Sequence, residues 1–138
     1  MILLDTNVIS EAMKPAPEPS VMAWLNSQNT AELWTSTIVI AELYSGLELM
    51  PAGKRQKQLA ERAEIMLDRF FGARILPLDR AAARAYGVVL KSRRAKGLAI
   101  DEMDALLAAT ALAKGAALAT RNASHFQSCG IRILNPWQ

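Results

Sequence analysis

The strongest constraint on the fold of this chain is a set of short, mostly apolar segments that alternate with longer segments of helical periodicity. Because these segments are mostly apolar, the strands that they predict must be covered by other elements on both faces. A parallel sheet with helices returning over its two faces meets that requirement. We therefore expect an α/β fold, a three-layer α/β/α sandwich around a central, mostly parallel sheet of about five short strands. The predicted strands are residues 2–4, 33–35, 75–76, 116–119 and 131–134.

Glycine and aspartate residues mark the ends of the intervening helices. Gly72, Gly97 and Gly115 follow helical stretches as C-terminal caps, and Asp79 and Asp101 stand at N-cap positions. No internal repeat or long linker divides the pattern, so we expect residues 1–138 to form a single domain. Helices are predicted at residues 10–13, around 21–25, and at 38–50, 54–71, 79–96 and 101–114. The 54–71 helix is expected to bury one face, formed by Leu59, Ala63, Met66, Leu67 and Phe70.

The composition is that of a compact folded protein, with 51% hydrophobic and 21% charged residues. The net charge of +3 favours an anionic partner but falls short of the dense basic surface of a dedicated DNA-binding protein. One cysteine, Cys129, and one histidine exclude an internal disulfide and a zinc cluster. No apolar run is long enough to span a bilayer and no secretory signal is recognisable, so we expect a cytoplasmic protein without a membrane partner.

Asp5 directly follows the first predicted strand, where the carboxyl ends of parallel strands leave a crevice for ligands. An acid in that position is a candidate metal ligand. The alternative is that Asp5 only caps the helix that follows, because Asp, Thr and Asn all favour such turns. Asp5 by itself leaves both interpretations open.

Glu42 lies on a helix whose other positions are mostly apolar, with Ile38 and Leu49 on its own face. An ionised carboxylate in apolar surroundings loses hydration and requires a cation, an arginine or a proton in compensation. Glu42 is therefore either part of a metal site or a core glutamate paired with an arginine or with main-chain groups.

Asp104 stands near the start of a helix whose following stripe consists of alanines. Ordinary helix-start chemistry also accounts for it, since Asp101 is an expected N-cap and acids in a first turn interact favourably with the helix dipole. Acids gathered at one edge of a fold repel each other unless a hard cation neutralises them. Asp5, Glu42 and Asp104 together therefore predict a site for Mg²⁺, with Mn²⁺ as a substitute.

Several segments, taken in order, resemble the PIN-domain family, and within it the VapC and FitB-like toxins of bacterial toxin–antitoxin pairs. Their order and spacing carry the resemblance, which covers essentially the whole chain. The three acids of the family correspond to Asp5, Glu42 and Asp104, and Asp101 has no reliable counterpart and is left as an auxiliary. The segments are MILLDTNVISE at the start, AELYSG at 41–46, DALLAATA at 104–111, LATRN at 118–122 and NPW at 135–137.

The resemblance implies a PIN-like fold and a Mg²⁺-dependent ribonuclease, a hydrolase that cleaves phosphodiester bonds of RNA with metal-activated water. Asp5 and Asp104 would be the principal metal ligands, and Glu42 a direct or water-mediated one. Thr120 and Asn7 would orient these acids through hydrogen bonds. The resemblance also implies a cognate antitoxin protein that neutralises the enzyme, and a toxin homodimer that forms a higher assembly with it.

Basic residues near the acids are candidates for contact with the RNA backbone. Arg121 follows the fourth predicted strand, and residues 54–57 and 93–96 form two clusters rich in arginine and lysine. Charged helix ends are commonly just solvated, so both interpretations of the clusters stay open.

The sequence departs from the family pattern after the fourth predicted strand, where many relatives have a fourth acid. Asn122 and His125 stand at those positions instead. Loss of this carboxylate removes negative charge from the side of a second metal, so we expect one firmly bound Mg²⁺. His125 is either a water-mediated ligand or phosphate contact, or merely exposed or capping, and we leave it outside the catalytic set.

Two other classes of function fit parts of the sequence. The missing fourth acid leaves a catalytically silent PIN-fold RNA-binding or scaffold domain as the main alternative. A receiver-like signalling domain would need a phospho-accepting aspartate in the middle of the chain, where Asp68 and Asp79 are the candidates. Trp24, Trp34 and Trp137 are available as interface anchors, although tryptophans of an α/β domain are more often part of the core.

Overall fold

A computed structural model of the chain describes residues 1–138. Five short strands are present: β1 (Ile2–Leu4), β2 (Leu33–Ser36), β3 (Ile75–Leu76), β4 (Ala117–Ala119) and β5 (Ile133–Leu134). They form one sheet in the order β3-β2-β1-β4-β5, and every neighbouring pair is parallel. The predicted parallel sheet is confirmed, and the first strand has its predicted ends.

Six α-helices connect the strands: α1 (Thr6–Ala12), α2 (Pro19–Ser27), α3 (Thr37–Leu49), α4 (Lys54–Ile65), α5 (Arg80–Ala95) and α6 (Glu102–Lys114). Short 3-10 segments lie at Thr30–Glu32 and Ala123–Phe126. The predicted caps are present. The side chains of Asp79 and Asp101 accept hydrogen bonds from Ala82 and Met103, and Gly115 ends α6 in the left-handed conformation with a φ of 64°.

The predicted helix at 54–71 changes character near its end, because Met66–Phe71 is π-helical. Ala63, Leu67 and Phe71 are all buried, at a spacing of four residues. Residues at this spacing lie on one stripe of a helix, so the three side chains face the core together. Phe70, expected on the buried face, is instead 39% exposed, and that part of the prediction is wrong.

The helices cover the sheet as the α/β/α prediction requires. Helix α5 packs against α6, and α1 packs against both α2 and α3. A single cluster of 25 buried residues forms the core, and Ala105, Ala108 and Ala109 of α6 are completely buried within it. None of the helices has the length and apolar character that crossing a membrane requires.

The strand order creates a crevice at the centre of the sheet. Strand β1 lies between β2, which is added on one side, and β4, which is added on the other. In open parallel sheets, such a reversal leaves room for ligands at the carboxyl ends of the two strands. Asp5 directly follows β1 and Thr120 directly follows β4, so both residues lie at this switch point.

Candidate active site

Asp5 is fixed at the carboxyl end of β1 by hydrogen bonds with the end of β4 and with the start of α1. Its main-chain N–H donates to the carbonyl of Ala119 at 3.0 Å. Its Oδ1 accepts from the N–H of Thr6 at 2.7 Å, and its Oδ2 accepts from the hydroxyl of Thr120 at 2.7 Å. Asp5 therefore caps α1, as one interpretation of the sequence held, and also presents a carboxylate to the crevice while only 6% exposed.

A polar network joins the turn after β1 to the turn after β4. The amide of Asn7 donates to Thr120 Oγ1 and to Asp5 Oδ2, both at 3.4 Å, and its Oδ1 accepts from the N–H of Arg121 at 3.2 Å. The N–H of Asn122 donates to Thr120 Oγ1 at 3.1 Å. Asn7 and Thr120 thus contact Asp5 in the manner that orients a ligand.

Glu42 reaches the crevice from α3 as a half-buried side chain. It forms no salt bridge, so pairing with an arginine does not account for it. Its surroundings are less apolar than expected, because Ser45 is exposed and Leu49 is 85% exposed. Burial raises the pKa of Glu42 above its ordinary value, and the negative charges of Asp5 and Asp104 raise it further.

Asp104 lies in the first turn of α6, where its Oδ2 is 3.3 Å from Nδ1 of His125. Burial raises the pKa of the Asp104 carboxyl, His125 lowers it, and the charge of Asp101 raises it. Asp101 itself accepts from the N–H of Met103 at 3.2 Å, so the helix-start chemistry expected of this segment is also present.

His125 is the site residue that the sequence analysis left outside the catalytic set. It lies on the 3-10 segment Ala123–Phe126, its side chain is 54% exposed, and its ring contacts Asp104. The sequence signal was its position, one of the two at which the resemblance predicts a fourth acid. The structure brings it to the acidic centre across 21 residues of sequence.

The three carboxylates are electrostatically coupled, because the charge of Asp104 raises the pKa of both Asp5 and Glu42. Burial raises the pKa of Asp5 despite the hydrogen bonds from Thr120 and Thr6, and the charge of Asp104 adds to the rise. No lysine or arginine forms a salt bridge with Asp5, Glu42 or Asp104. No lysine or arginine ion pair therefore neutralises the acids, the charge of Arg93 acts on Asp104 alone and less than burial does, and a hard divalent cation would compensate the negative charge.

The donor set at the crevice fits a cation that keeps part of its hydration shell. Thr6 Oγ1 is buried next to Asp5 and in the same cavity as Glu42, and its hydroxyl lowers the pKa of the Glu42 carboxyl. No three acidic, histidine or cysteine side chains converge closely enough to hold an ion by themselves. Mg²⁺ is commonly held by one or two carboxylates, with water and substrate oxygens as its other ligands.

A cavity of about 710 Å³ opens beside the acids, lined by Thr6 and Glu42 and by the cations Lys14, Arg55 and Arg62. A second cavity of about 690 Å³, mostly apolar, lies between α1, α2 and the π-helical segment. The two cavities share Lys14 and Arg62. The acidic centre thus adjoins a basic cavity, which in turn adjoins an apolar one.

Arg93 fits neither interpretation of the 93–96 cluster, since it is available neither for contact with RNA nor for solvation. This residue is 5% exposed, and its guanidinium donates to the main-chain carbonyls of Ala99, Ser124 and Gln127. Its charge also lowers the pKa of the Asp104 carboxyl slightly, behind the larger effect of burial in the opposite direction. A run of basic residues at the end of a helix gives no indication in the sequence that one of their side chains is buried.

Arg121 lies over the ring of Trp137, with its guanidinium carbon 5.2 Å from the ring centroid. This contact holds the exposed Arg121 beside the polar network around Asn7. Trp137 is half-buried and packs against the core, as do Trp24 and Trp34, which favours the core interpretation of the tryptophans.

Asp68 and Asp79, the aspartates that a receiver-like domain would need, lie at other places in the structure. Asp79 caps α5 and accepts from Lys114 at 3.1 Å, and Asp68 is exposed on the π-helical segment. Neither of them belongs to the acidic centre.

With an acidic centre at the switch point of a five-stranded parallel sheet, the chain is an α/β protein, and comparison with known proteins identifies its family. The family model described as PIN domain matches residues 2–129. The chain belongs to the PIN-domain family, on the branch that contains the VapC and FitB proteins. Ribonucleases of this family depend on a metal ion.

Similarity to individual proteins extends over the full length. The plasmid stability protein StbB of Pseudomonas syringae pv. tomato is 45% identical, and the VapC ribonuclease Y4jK of Sinorhizobium fredii is 42% identical, each over 100% of this chain and 99% of the relative. Toxin FitB of Neisseria gonorrhoeae is 39% identical over 99% of both chains.

Two solved structures have the same fold. The crystal structure of FitAcB from Neisseria gonorrhoeae matches with a TM-score of 0.92 and 38% identity over 100% of this chain and 99% of that one. VapBC2 from Rickettsia felis, bound to a DNA fragment from its promoter, matches with a TM-score of 0.81 and 28% identity over 98% of both chains.

Proposed function

We propose that residues 1–138 form a single domain that is a Mg²⁺-dependent ribonuclease and acts in the cytoplasm as the toxin of a toxin–antitoxin pair. One observation carries the proposal: the carboxyls of Asp5, Glu42 and Asp104 all have raised pKa values, and none is paired with a lysine or arginine. The relatives named as ribonuclease and toxin support the activity and the biological role.

Asp5 and Asp104 are the proposed direct ligands of the metal ion, and Glu42 binds it directly or through water. Oxygen donors of this kind suit Mg²⁺, and Mn²⁺ substitutes for it. The bound ion would lower the pKa of a water molecule and stabilise charge on the scissile phosphate. One ion is proposed, since Asn122 and His125 stand where a fourth carboxylate would hold a second.

The surrounding residues set the position of the acids. The Thr120 hydroxyl and the Asn7 amide both donate to Oδ2 of Asp5, whereas Oδ1 accepts only from the Thr6 N–H and keeps a lone pair for a cation. Asn7 holds Thr120 from the other side. His125 restrains Asp104 in the same way. Preorganised ligands of this kind lose little freedom when the ion and the substrate bind.

Single-stranded RNA is the proposed substrate, and its backbone runs from the acidic centre along the basic cavity. Lys14 and Arg62 already have partners, because Lys14 pairs with Glu11 at 3.1 Å and Arg62 donates to a main-chain carbonyl. Arg55 forms neither a salt bridge nor a side-chain hydrogen bond. It is therefore the cation of this cavity most able to bind a phosphate.

A cognate antitoxin is proposed to cover the apolar cavity and to block the adjoining basic one. The FitAcB and VapBC2 structures support a two-protein assembly, because both are complexes of a similar chain with a partner. We further propose a toxin homodimer within that assembly. An antitoxin bound across the two cavities would exclude RNA from the acidic centre and would cover Glu42, which lines the basic cavity.

RNA cleavage by the purified protein tests the proposal directly. Wild type should degrade a single-stranded RNA in Mg²⁺ or Mn²⁺ and lose activity in EDTA, and Asp5→Asn and Asp104→Asn should abolish it in either metal. Asp79→Asn is the matched control, since asparagine also caps a helix and Asp79 lies outside the centre.

Two results would oppose the proposal. Equal cleavage by wild type, Asp5→Asn and Asp104→Asn would show that a contaminant or another site is responsible. No cleavage by wild type, together with no rise in its melting temperature on adding Mn²⁺, would favour the catalytically silent scaffold, because a cation bound only to the folded state must stabilise it.

A further inference from the structure

Arg93 is a buried cation that the proposed mechanism does not use. It forms no salt bridge, and its Nε is buried without a hydrogen-bond partner. A buried charge without a carboxylate partner is costly and needs some compensating contact. Arg93 obtains this compensation from main-chain carbonyls alone.

The carbonyls belong to two separate loops. One terminal nitrogen of the guanidinium donates to Ala99, in the loop between α5 and α6. The other donates to Gln127 at 2.8 Å and to Ser124 at 3.5 Å, in and just after the 3-10 segment. The main-chain carbonyl of Arg93 also accepts from the N–H of Leu98 at 2.9 Å. Arg93 therefore ties both loops to the end of α5.

These two loops carry the two members of the Asp104–His125 contact. The loop that contains Ala99 leads into α6, which begins at the cap Asp101 and carries Asp104 in its first turn. The other loop contains His125, directly after Ser124. The two side chains meet in one 3.3 Å contact, and the His125 side chain is 54% exposed, while the 3-10 segment also packs against α6.

We propose that Arg93 is a positioning residue, whose guanidinium sets the distance between Asp104 and His125 by clamping the loops that carry them. It acts through these side chains and touches neither substrate nor metal. The proposal rests on the proposed ribonuclease function for its kinetic consequences only. A planar guanidinium with its donors in a fixed fork binds carbonyls of two loops at once, whereas a lysine ammonium is a compact charge that cannot reproduce this geometry.

The test compares Arg93→Lys with Arg84→Lys, an exposed arginine on the same helix that serves as the control. We expect Arg93→Lys to lower kcat about tenfold with KM nearly unchanged, as for other residues that orient a metal ligand. Arg84→Lys should have wild-type kcat and KM. The rates are normalised to the folded fraction of each protein, so that a loss of stability alone gives no change in kcat.

A double-substitution cycle separates positioning from general stability. If Arg93 acts through the Asp104–His125 contact, adding Arg93→Lys to His125→Ala should change kcat by less than about twofold. Multiplication of the two separate effects would overturn the proposal, and so would a wild-type kcat for folded Arg93→Lys.

An NMR measurement of His125 tests the proposal without depending on activity. His125 is the only histidine of the chain, so its ring signals in a proton NMR spectrum are unambiguous. At a single pH, Arg93→Lys should shift these signals and Arg84→Lys should not, and unshifted signals in a folded Arg93→Lys protein would overturn the proposal. If wild type cleaves no RNA, the ribonuclease proposal fails, while this measurement still decides the role of Arg93.

A second variant serves if Arg93→Lys does not fold. Gly97 has a φ of 68° and its Cβ position is free of neighbours, so Gly97→Ala strains the loop that holds Ala99 without a steric clash. We expect the same change in His125 signals and a smaller fall in kcat. Wild-type signals and kcat in folded Gly97→Ala would contradict the clamp.

Discussion

The hydroxyl of Thr120 donates a 2.7 Å hydrogen bond to Oδ2 of Asp5, which joins the ends of two neighbouring strands at the switch point of the sheet. Thr120 is fully buried, and 115 residues of sequence separate it from Asp5. The register of β1 and β4 places them together, because Leu4 pairs with Ala119, and Asp5 and Thr120 each follow one residue later. The position of the most buried carboxylate thus depends on the pairing of two strands.

We predict that Thr120→Val lowers ribonuclease activity about tenfold and Thr120→Ser retains it. Valine has the shape of threonine but cannot donate to Asp5, whereas serine keeps the hydroxyl. The loss of a hydrogen bond to a buried carboxylate should also cost about 1–3 kcal/mol of the free energy of unfolding in Thr120→Val. Urea denaturation and single-turnover cleavage measure the two effects. Wild-type activity in Thr120→Val would show that this bond does not orient the acid.

The raised pKa values predict how stability depends on pH in the absence of divalent cations. A carboxyl with a raised pKa binds more protons in the folded than in the unfolded state, so the free energy of unfolding falls as the pH rises through the interval between its two pKa values. Burial raises the pKa of Asp104, and Asn carries no charge at any pH. In EDTA, Asp104→Asn should therefore melt above wild type at neutral pH, and the difference should shrink as the pH falls through that interval and vanish below the ordinary pKa of an aspartate.

Melting curves of wild type and Asp104→Asn across pH, each with and without Mn²⁺, check this prediction. Saturating Mn²⁺ should reverse the order at neutral pH, because the wild-type site gains binding energy that Asp104→Asn lacks. Asp79→Asn is the control for the loss of an acid, since the pKa of Asp79 is lowered by the Ala82 N–H and by Lys114 and its effect on stability has the opposite sign. A wild-type advantage in EDTA at neutral pH would contradict the prediction.

Local signals in the sequence were sufficient for much of the fold. Every predicted strand and most helix ends lie within a few residues of their observed positions, because capping aspartates and C-terminal glycines act through contacts that span a single turn. The positions of Asp5 and Thr120 at the ends of strands also followed from the sequence, since parallel strands share one carboxyl edge.

Features that depend on contacts between distant segments could not be read in this way. The burial of Arg93 depends on the paths of two loops, and nothing in the cluster at 93–96 distinguishes it from its solvated neighbours. The contact between His125 and Asp104 depends on the same loops. In the π-helical turn before Gly72, the core takes Phe71 rather than Phe70, a choice made by packing and not by local propensity.

We predict that Arg55→Gln raises the KM for single-stranded RNA and leaves kcat unchanged. Arg55 lines the cavity beside Glu42, so its loss removes a phosphate contact away from the reacting bond. Loss of one contact should also reduce the slope of log affinity against log salt concentration by about 0.7. Arg80→Gln, which removes an exposed arginine at the start of α5, should leave KM and the salt slope at wild-type values. Equal effects of the two substitutions would indicate non-specific attraction by net charge.

The number of metal ions is open to a test at His125, because its ring is 3.3 Å from Asp104 and the resemblance predicts a fourth acid at this position. We predict that wild type binds one Mn²⁺ and that His125→Asp binds a second, more weakly, as measured by isothermal titration calorimetry. Without metal, the added carboxylate would repel Asp104 and Asp5, so His125→Asp should melt below wild type in EDTA at neutral pH. His125→Asn, which has nearly the same size but no charge, should bind one ion and lack this destabilisation. Two ions in wild type would mean that the protein completes a second site without the fourth acid, and one ion in His125→Asp would mean that position 125 does not face a second metal.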